Sequence, residues 1–342
     1  MKSCIFALCV APSVVLMLLF IALPLASVLI QSFYLTQQVY EQVTVEACSP
    51  GFAVQNCVQE VRSQPKRDAA GQVITQTRFV GLASYRALLD PEAVTKAYSS
   101  AGGGLAEMLN IPFYAALRFT LTFSLITLPL VIGLGLAIAL AINALARAWR
   151  GPLIFVTLLP FIVTPVIGAL SIRWLFIGDG IATAALKALL QRDISMFAQG
   201  WTIELLMLGY RVWHVAPFAF VIFYAGLQTV DQDILESAIV DGASRLERLR
   251  HVVLPHLMPL IIFVALIHLM DSYRVFEEVI GFSSQAHRIS LQYLTFSFLT
   301  PDETGNRAIS RASASAMLTM IGIVILLIPL LVRSWRDQRS RR

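Results

Sequence analysis

FTLTFSLITLPLVIGLGLAIALAINALA, residues Phe119–Ala146, contains no charged side chain and lies between Arg118 and Arg147. A helix crossing roughly 30 Å of hydrocarbon at 1.5 Å per residue needs about 20 apolar residues, and this stretch is longer than that. Similar runs lie on both sides of it. Ile5–Ile30 sits in a segment uncharged from Lys2 to Glu41, too long for the apolar core of a secretory signal (about 7–15 residues), so it reads as a retained anchor. Pro152–Ile172 is bounded by Arg150 and Arg173, and Trp201–Leu227 carries Arg211 and His214. A fifth run starts near Val252 and is uncharged to Asp271, with Ile280 as its outer limit. Ala312–Val332 lies between Arg311 and Arg333. Six runs imply six spanning helices with both termini on one side, an all-α integral membrane protein.

The whole composition agrees. Of 342 residues, 57% are hydrophobic and 14% charged, with a mean hydropathy of +0.72. Soluble domains run to about 25% charged, so a cytosolic or disordered chain is excluded. The net charge of +5 comes from arginines at the ends of apolar runs, which does not describe a nucleic-acid surface. With the N-terminus inside, the inner flanks hold Lys2, Arg147, Arg150, Arg245, Arg248, Arg250 and the basic tail from Arg333 onward. These outnumber the Lys and Arg of the short outer loops, which predicts an N-in, C-in topology.

The chain divides into a first span (1–33), an outer segment (34–118), a core (119–334) and a basic tail (335–342). The polar part of the outer segment contains turn signals at Ser49-Pro50-Gly51 and Gln64-Pro65-Lys66. Cys48 and Cys57 lie there, either as one disulfide closing a small loop or as two free thiols. Cys4 and Cys9 read as small apolar fillers of the first span.

No phosphate-binding G-x-x-x-x-G-K-[ST] occurs, since Gly102-Gly103-Gly104 is followed by Leu105 and Ala106. H-E-x-x-H and G-x-S-x-G are also absent. Neither a metal site nor catalytic machinery is expected, and nucleotide chemistry would have to come from another chain. Between the fourth and fifth runs, Asp231-Gln232-Asp233 offers an N-cap for a short helix. Gly242 permits a left-handed turn, and a second amphipathic helix is expected to run to Leu254, where Pro255 breaks it. A helix-turn-helix of this kind is either a knob for a partner to grip or an amphipathic element on the membrane surface.

That segment, Glu236-Ser237-Ala238, then Asp241-Gly242-Ala243, then Leu254-Pro255, resembles the EAA loop of ABC importer permeases, with Ser237 where alanine is usual. The wider chain is similar to the maltose-type, carbohydrate-importing branch through Phe79-Val80-Gly81-Leu82, Leu134–Arg147, Leu159-Pro160, Tyr224–Gln228 and Asp271 to Glu277. It departs from that branch in a longer stretch over 36–78 and in Phe282–Gln285 replacing a glycine-rich turn. The resemblance implies a type I permease bundle whose EAA loop (229–258) docks on an ATP-binding subunit. It also implies a related second permease, two copies of the ATPase holding ATP and Mg, and an extracytoplasmic binding protein. The substrate would be a carbohydrate and the location a bacterial inner membrane.

Polar groups at membrane depth mark a pathway or a structural pairing. Tyr210, Arg211, Trp213 and His214 crowd the fourth run, with Tyr210 and His214 on one face. Aromatic rings and hydrogen-bonding edges together suit a sugar. The alternative is an Arg211 that pairs with Asp271 or Glu278 to hold the bundle. On the fifth run, His268, Asp271 and Tyr273 are further pathway candidates, and Asp271, Arg274 and Glu278 have the spacing of an internal salt-bridge ladder. A stand-alone carrier using Asp271 or Glu278 for ion coupling, and an ABC permease for a non-sugar solute, are the competing functions.

Overall fold

The computed structural model describes residues 2–49, 56–69, 71, 73–99, 104–178, 180–191, 195–302 and 305–340. Among the described residues, five helices are long and apolar enough to cross a membrane, and a bent pair makes six if it is counted as one span.

One unit comprises the chain through Glu107 together with Leu294–Met320. It begins with the spanning helix α1 (Cys9–Phe33), which carries a π-turn at Leu18–Ala22 just before Pro24. A proline ring clashes with the carbonyl four residues back, here Phe20, and widening the turn around that carbonyl lets the helix continue. Strand β1 (Tyr34–Gln38) follows directly. Strands β2 (Tyr40–Ser49), β3 (Asn56–Pro65) and β4 (Thr75–Phe79) complete two antiparallel ladders, β1·β4 and β2·β3. The Tyr34 and Phe79 rings meet edge to face across β1·β4 at 5.3 Å. The ladder β2·β3 is in register from Tyr40 opposite Pro65 to Ser49 opposite Asn56. The described part of the segment between the first two spans thus holds these strands, followed by helices Ala83–Leu89 and Pro91–Ser99.

The other unit runs from Met108 to Tyr293 and includes Ile321–Arg342. Its first span, α2 (Pro112–Asn143), opens with Pro112 in the first turn. It begins seven residues before the apolar run, because a charge such as Arg118 marks the edge of the lipid and not the end of the helix. The expected span Pro152–Ile172 is broken. Helix α3 (Arg147–Ile162) and helix α4 (Pro165–Phe176) meet at 91°. Val163 and Thr164 have extended backbones, with ψ of 134° and 132°. A residue preceding proline is pushed out of the helical region, so Thr164-Pro165 forces the break inside an uninterrupted apolar run.

Helix α5 (Gly200–Leu227) packs along α2 and contributes Val215, Ala219, Phe220 and Phe223 to a core shared with Val131 and Ala139. A Cβ built at Gly135 would lie 2.6 Å from the Ala219 Cβ and 3.0 Å from the Phe220 amide nitrogen, so the two backbones meet at this glycine. After the short helix α6 (Gln232–Val240), helix α7 (Arg245–Tyr273) is a continuous span. Pro255 does not break it, in contrast to the expectation, because a π-turn at Leu249–Val253 absorbs the proline as the one before Pro24 does. α7 stops at Tyr273 rather than reaching Ile280. The chain turns through Arg274 into α8 (Glu277–Gly281), and the last long helix, α9, covers Ile309–Ser340.

The close approach at Gly135 is testable by thermal unfolding in detergent. Gly135→Val should destabilise the protein by about 1–3 kcal/mol, as overpacking of a filled core does. Gly209→Val, where nothing lies within 4 Å of the added Cβ, should shift the midpoint much less.

Candidate functional site

Two places carry the polar chemistry, the α6–α7 turn and a cavity walled by α5 and α7. At the turn, the Asp231 carboxylate accepts from the Asp233 amide at 2.9 Å and caps α6. The helix ends in a Schellman motif. Gly242 has φ +80°, the Gly242 amide donates to the Ile239 carbonyl (3.0 Å), and the Ala243 amide donates to that of Ala238 (2.9 Å). Nothing lies within 4 Å of a Cβ at Gly242, so its backbone angle, and not its space, demands glycine.

Ser244 then starts α7 with a reciprocal capping box. Its amide donates to Glu247 Oε2 at 2.7 Å, and the Glu247 amide donates to Ser244 Oγ at 3.3 Å. Ser244-x-x-Glu247 was readable as such a box in the sequence. Glu236, Ser237 and Asp241 are exposed, and so are the apolar Val240 (86%) and Leu246 (72%) beside them. Leu254 and Pro255 lie within α7, past the π-turn.

The cavity has a volume of about 430 Å³. Arg211 on α5 is 4% exposed and ion-paired at both terminal nitrogens. One pairs with Glu278 at 2.8 Å, whose carboxylate is fully buried, and the other with Asp271, whose side chain is 54% exposed. Arg211 thus ties α5 to the end of α7 and to α8. The internal ladder through Arg274 does not form, because α7 ends at Tyr273 and Glu278 belongs to a different helix; both acids turn to Arg211 instead.

His214 Nε2 meets the Val163 carbonyl at 2.9 Å, and the Tyr210 hydroxyl donates to the Pro165 carbonyl at 2.8 Å. Both carbonyls flank the α3–α4 break, so two α5 side chains hold its geometry. His268 Nε2 lies 2.9 Å from Thr127 Oγ1 of α2.

Of the residues singled out in the sequence, Arg211, His214, His268 and Asp271 line the cavity, together with Phe161 and Phe218. Tyr210 is buried behind this wall, against Gly168. Tyr273 is also buried, with its hydroxyl against Gly322, and Trp213 is half exposed outside the cavity. Phe161, Phe218 and Thr127 carried no signal that separated them from other membrane-facing side chains. Cys48 and Cys57 occupy opposite positions of the β2·β3 register, and their side chains lie outside the described residues. Among the described residues no group of three His, Cys, Asp or Glu could hold a metal.

This broken-span bundle with a capped helical knob has the fold of the transmembrane subunits of importers. The likeness includes a chain of a bacterial ABC transporter involved in the import of the acidic polysaccharide alginate. The TM-score is 0.57 at 19% identity, covering 72% of this chain and 88% of that one. The chain belongs to the family of binding-protein-dependent transport system inner membrane components, whose model matches residues 133–342.

Relatives include the trehalose/maltose transport system permease protein MalF of Thermococcus litoralis, 29% identical over 52% of this chain and 61% of that protein. The arabinooligosaccharides transport system permease protein AraP of Bacillus subtilis is 27% identical over 59% of each. The sn-glycerol-3-phosphate transport system permease protein UgpA of Yersinia enterocolitica is 27% identical over 73% of this chain and 86% of that protein. The chain thus spans about six-tenths of the length of the first two.

Removing one member of a buried ion pair leaves the other charge uncompensated, at a cost of about 3–5 kcal/mol. Arg211→Met should therefore lower the unfolding midpoint strongly, and adding Glu278→Leu should restore much of the loss. A double variant no more stable than the single one would show that Glu278 does not depend on Arg211.

Proposed function

We propose that this chain is the transmembrane subunit of an ATP-driven importer for a carbohydrate, forming half of the translocation pathway. It is a transport subunit and not an enzyme, and ATP and Mg are bound by a partner. The observation that carries this reading is the α6–α7 knob. Its apolar tips, Val240 and Leu246, are covered by no other part of this chain, although two caps and a Schellman turn fix the backbone beneath them. Exposed apolar side chains on a preorganised backbone fit a protein partner, and the EAA pattern of Glu236 to Ala243 with Leu254-Pro255 makes that partner the ATPase.

The same helix that starts in the knob lines the cavity with His268 and Asp271, about 40 Å away along its axis. Closure of the ATPases would move the knob, and α7 would carry that movement to the cavity, exposing it to one side of the membrane and then to the other. The assembly is completed by a second, related permease, two ATP-binding subunits and an extracytoplasmic binding protein. The arginines of the tail (Arg333, Arg336, Arg339) support a location in the bacterial inner membrane with both termini cytoplasmic. The carbohydrate assignment draws on the trehalose/maltose and arabinooligosaccharide relatives, and on a cavity that combines Phe161 and Phe218 with histidine edges. Ion coupling through Asp271 or Glu278 is disfavoured, since both carboxylates are engaged by Arg211.

Gly242→Asp and Glu236→Lys should each abolish substrate-stimulated ATP hydrolysis by the reconstituted importer while the chain stays in the membrane. Normal stimulation in Gly242→Asp would overturn the assignment. Cys48 and Cys57, opposite each other in the β2·β3 register, would form one disulfide in an oxidising outer compartment. Mass spectrometry of the non-reduced protein should find them linked, and two alkylatable thiols would end that idea.

A further inference from the structure

Away from the bundle cavity, unpaired positive charge and apolar surface adjoin at a second place, within the unit that holds α1 and the start of α9. Span α1 ends at Phe33 and α9 begins at Ile309, and the two ends touch, since the Ser310 hydroxyl donates to the Tyr34 carbonyl. The ends of two spans mark the edge of the hydrocarbon. In the topology proposed above this is its outer edge.

Two cavities open here. One, of about 330 Å³, lies between β1 and the loop leading into α9, and Ser297, Thr300, Asp302, Arg307 and Arg311 are among its walls. The other, of about 380 Å³, is walled by Ile30 and Gln31 of α1, Tyr34 of β1 and Thr77 of β4. Thr36, Ile309 and Ser310 border both, so the polar pocket continues into the more apolar one. Backbone and side-chain bonds hold the polar walls together. Gln38 Nε2 donates to the Gly305 carbonyl at 3.3 Å, and the Ala308 amide donates to the Phe298 carbonyl at 3.0 Å.

Arg307 and Arg311 are exposed, and among the described residues neither has a hydrogen bond or ion pair. The described acid of the lining, Asp302, accepts from the Asn306 amide at 2.8 Å. The Ser297 and Thr300 hydroxyls spend their protons on the Leu294 and Ser297 carbonyls, at 2.7 and 2.6 Å, so each oxygen is left as an acceptor. A lone arginine at a span end needs no ligand, because it snorkels to any headgroup. Two arginines on one pocket that runs on into an apolar slot beside a lipid-length helix form a shaped site.

We propose that these joined cavities bind one anionic glycerophospholipid. Its phosphate lies between Arg307 and Arg311, its headgroup hydroxyls donate to Ser297 and Thr300, and an acyl chain enters the slot beside Ile30 and Tyr34. Guanidinium forks match a phosphate in geometry as well as charge. Bound there, the lipid bridges the end of α1 and the start of α9, whatever solute the bundle carries.

The test is native mass spectrometry of the whole membrane complex, retained by a tag on this chain and stripped of lipid in detergent. It is titrated with phosphatidylglycerol, with zwitterionic phosphatidylcholine, and with inorganic phosphate, which has the charge but no acyl chain. Phosphatidylglycerol should bind at least about fivefold more tightly than phosphatidylcholine, the worth of one basic residue at an anionic headgroup. Excess inorganic phosphate should not displace it. Arg307→Gln combined with Arg311→Gln should remove one phosphatidylglycerol per copy of this chain. Arg78→Gln, exposed on β4 and outside both cavities, should remove none. Equal binding of the two lipids, no loss in the double variant, or the same loss in Arg78→Gln would overturn the proposal. Displacement by inorganic phosphate would also overturn it, by making this a free-anion site. So would loss of the other subunits from the double variant, which would make it a protein contact.

Discussion

The guanidinium of Arg211 is the fixed point of the membrane core. A charge at this depth is tolerated only with full compensation, and here two carboxylates from different elements supply it. The arrangement is asymmetric. Glu278 is sealed, which makes its pairing with Arg211 a structural bond between α5 and α8. Asp271 is half open to the cavity, which places the other bond of the same guanidinium within reach of whatever enters. One side chain thus joins the packing of the bundle to the chemistry of its cavity.

The second constraint is the backbone. In hydrocarbon each exposed N–H or C=O must find a partner within the protein, so a broken helix survives only where side chains replace the lost ladder bonds. The break between α3 and α4 meets this requirement through Tyr210 and His214, which reach the Pro165 and Val163 carbonyls. That is why two polar residues of α5 lie one turn apart facing a non-helical backbone. It is also why His214 does two things at once: its Nε2 holds the break and its ring walls the cavity.

The spans were legible in the sequence wherever an apolar run ended at a charge, and α5 and α9 begin within about a turn of the residues expected. The break at Thr164-Pro165 was not, because no charge interrupts its run. Only the preference of a pre-proline residue for extended backbone marks it. Prolines alone do not distinguish a stop from a passage: Pro24 and Pro255 are bypassed by π-turns, and Pro165 opens a new helix. The cap at Asp231 and the turn at Gly242 were legible because they depend on residues one to four positions away. The pairing of Arg211 was left open between function and structure, and with it the choice of acid, because both partners lie at least 60 residues along the chain. Strands β2 and β3 were missed in a segment read for its turns, although Val43-Thr44-Val45 is β-branched throughout.

The π-turn at Leu249–Val253 sets the angular phase between the two ends of α7. Each residue advances an α-helix by about 100°, so one wide turn re-aims everything beyond it while leaving both ends helical. The rotational setting of the α6–α7 turn relative to His268 and Asp271 is therefore held in five residues that belong to neither. Gaining or losing a single residue there would turn one end of α7 against the other by about 100° without changing a side chain at either.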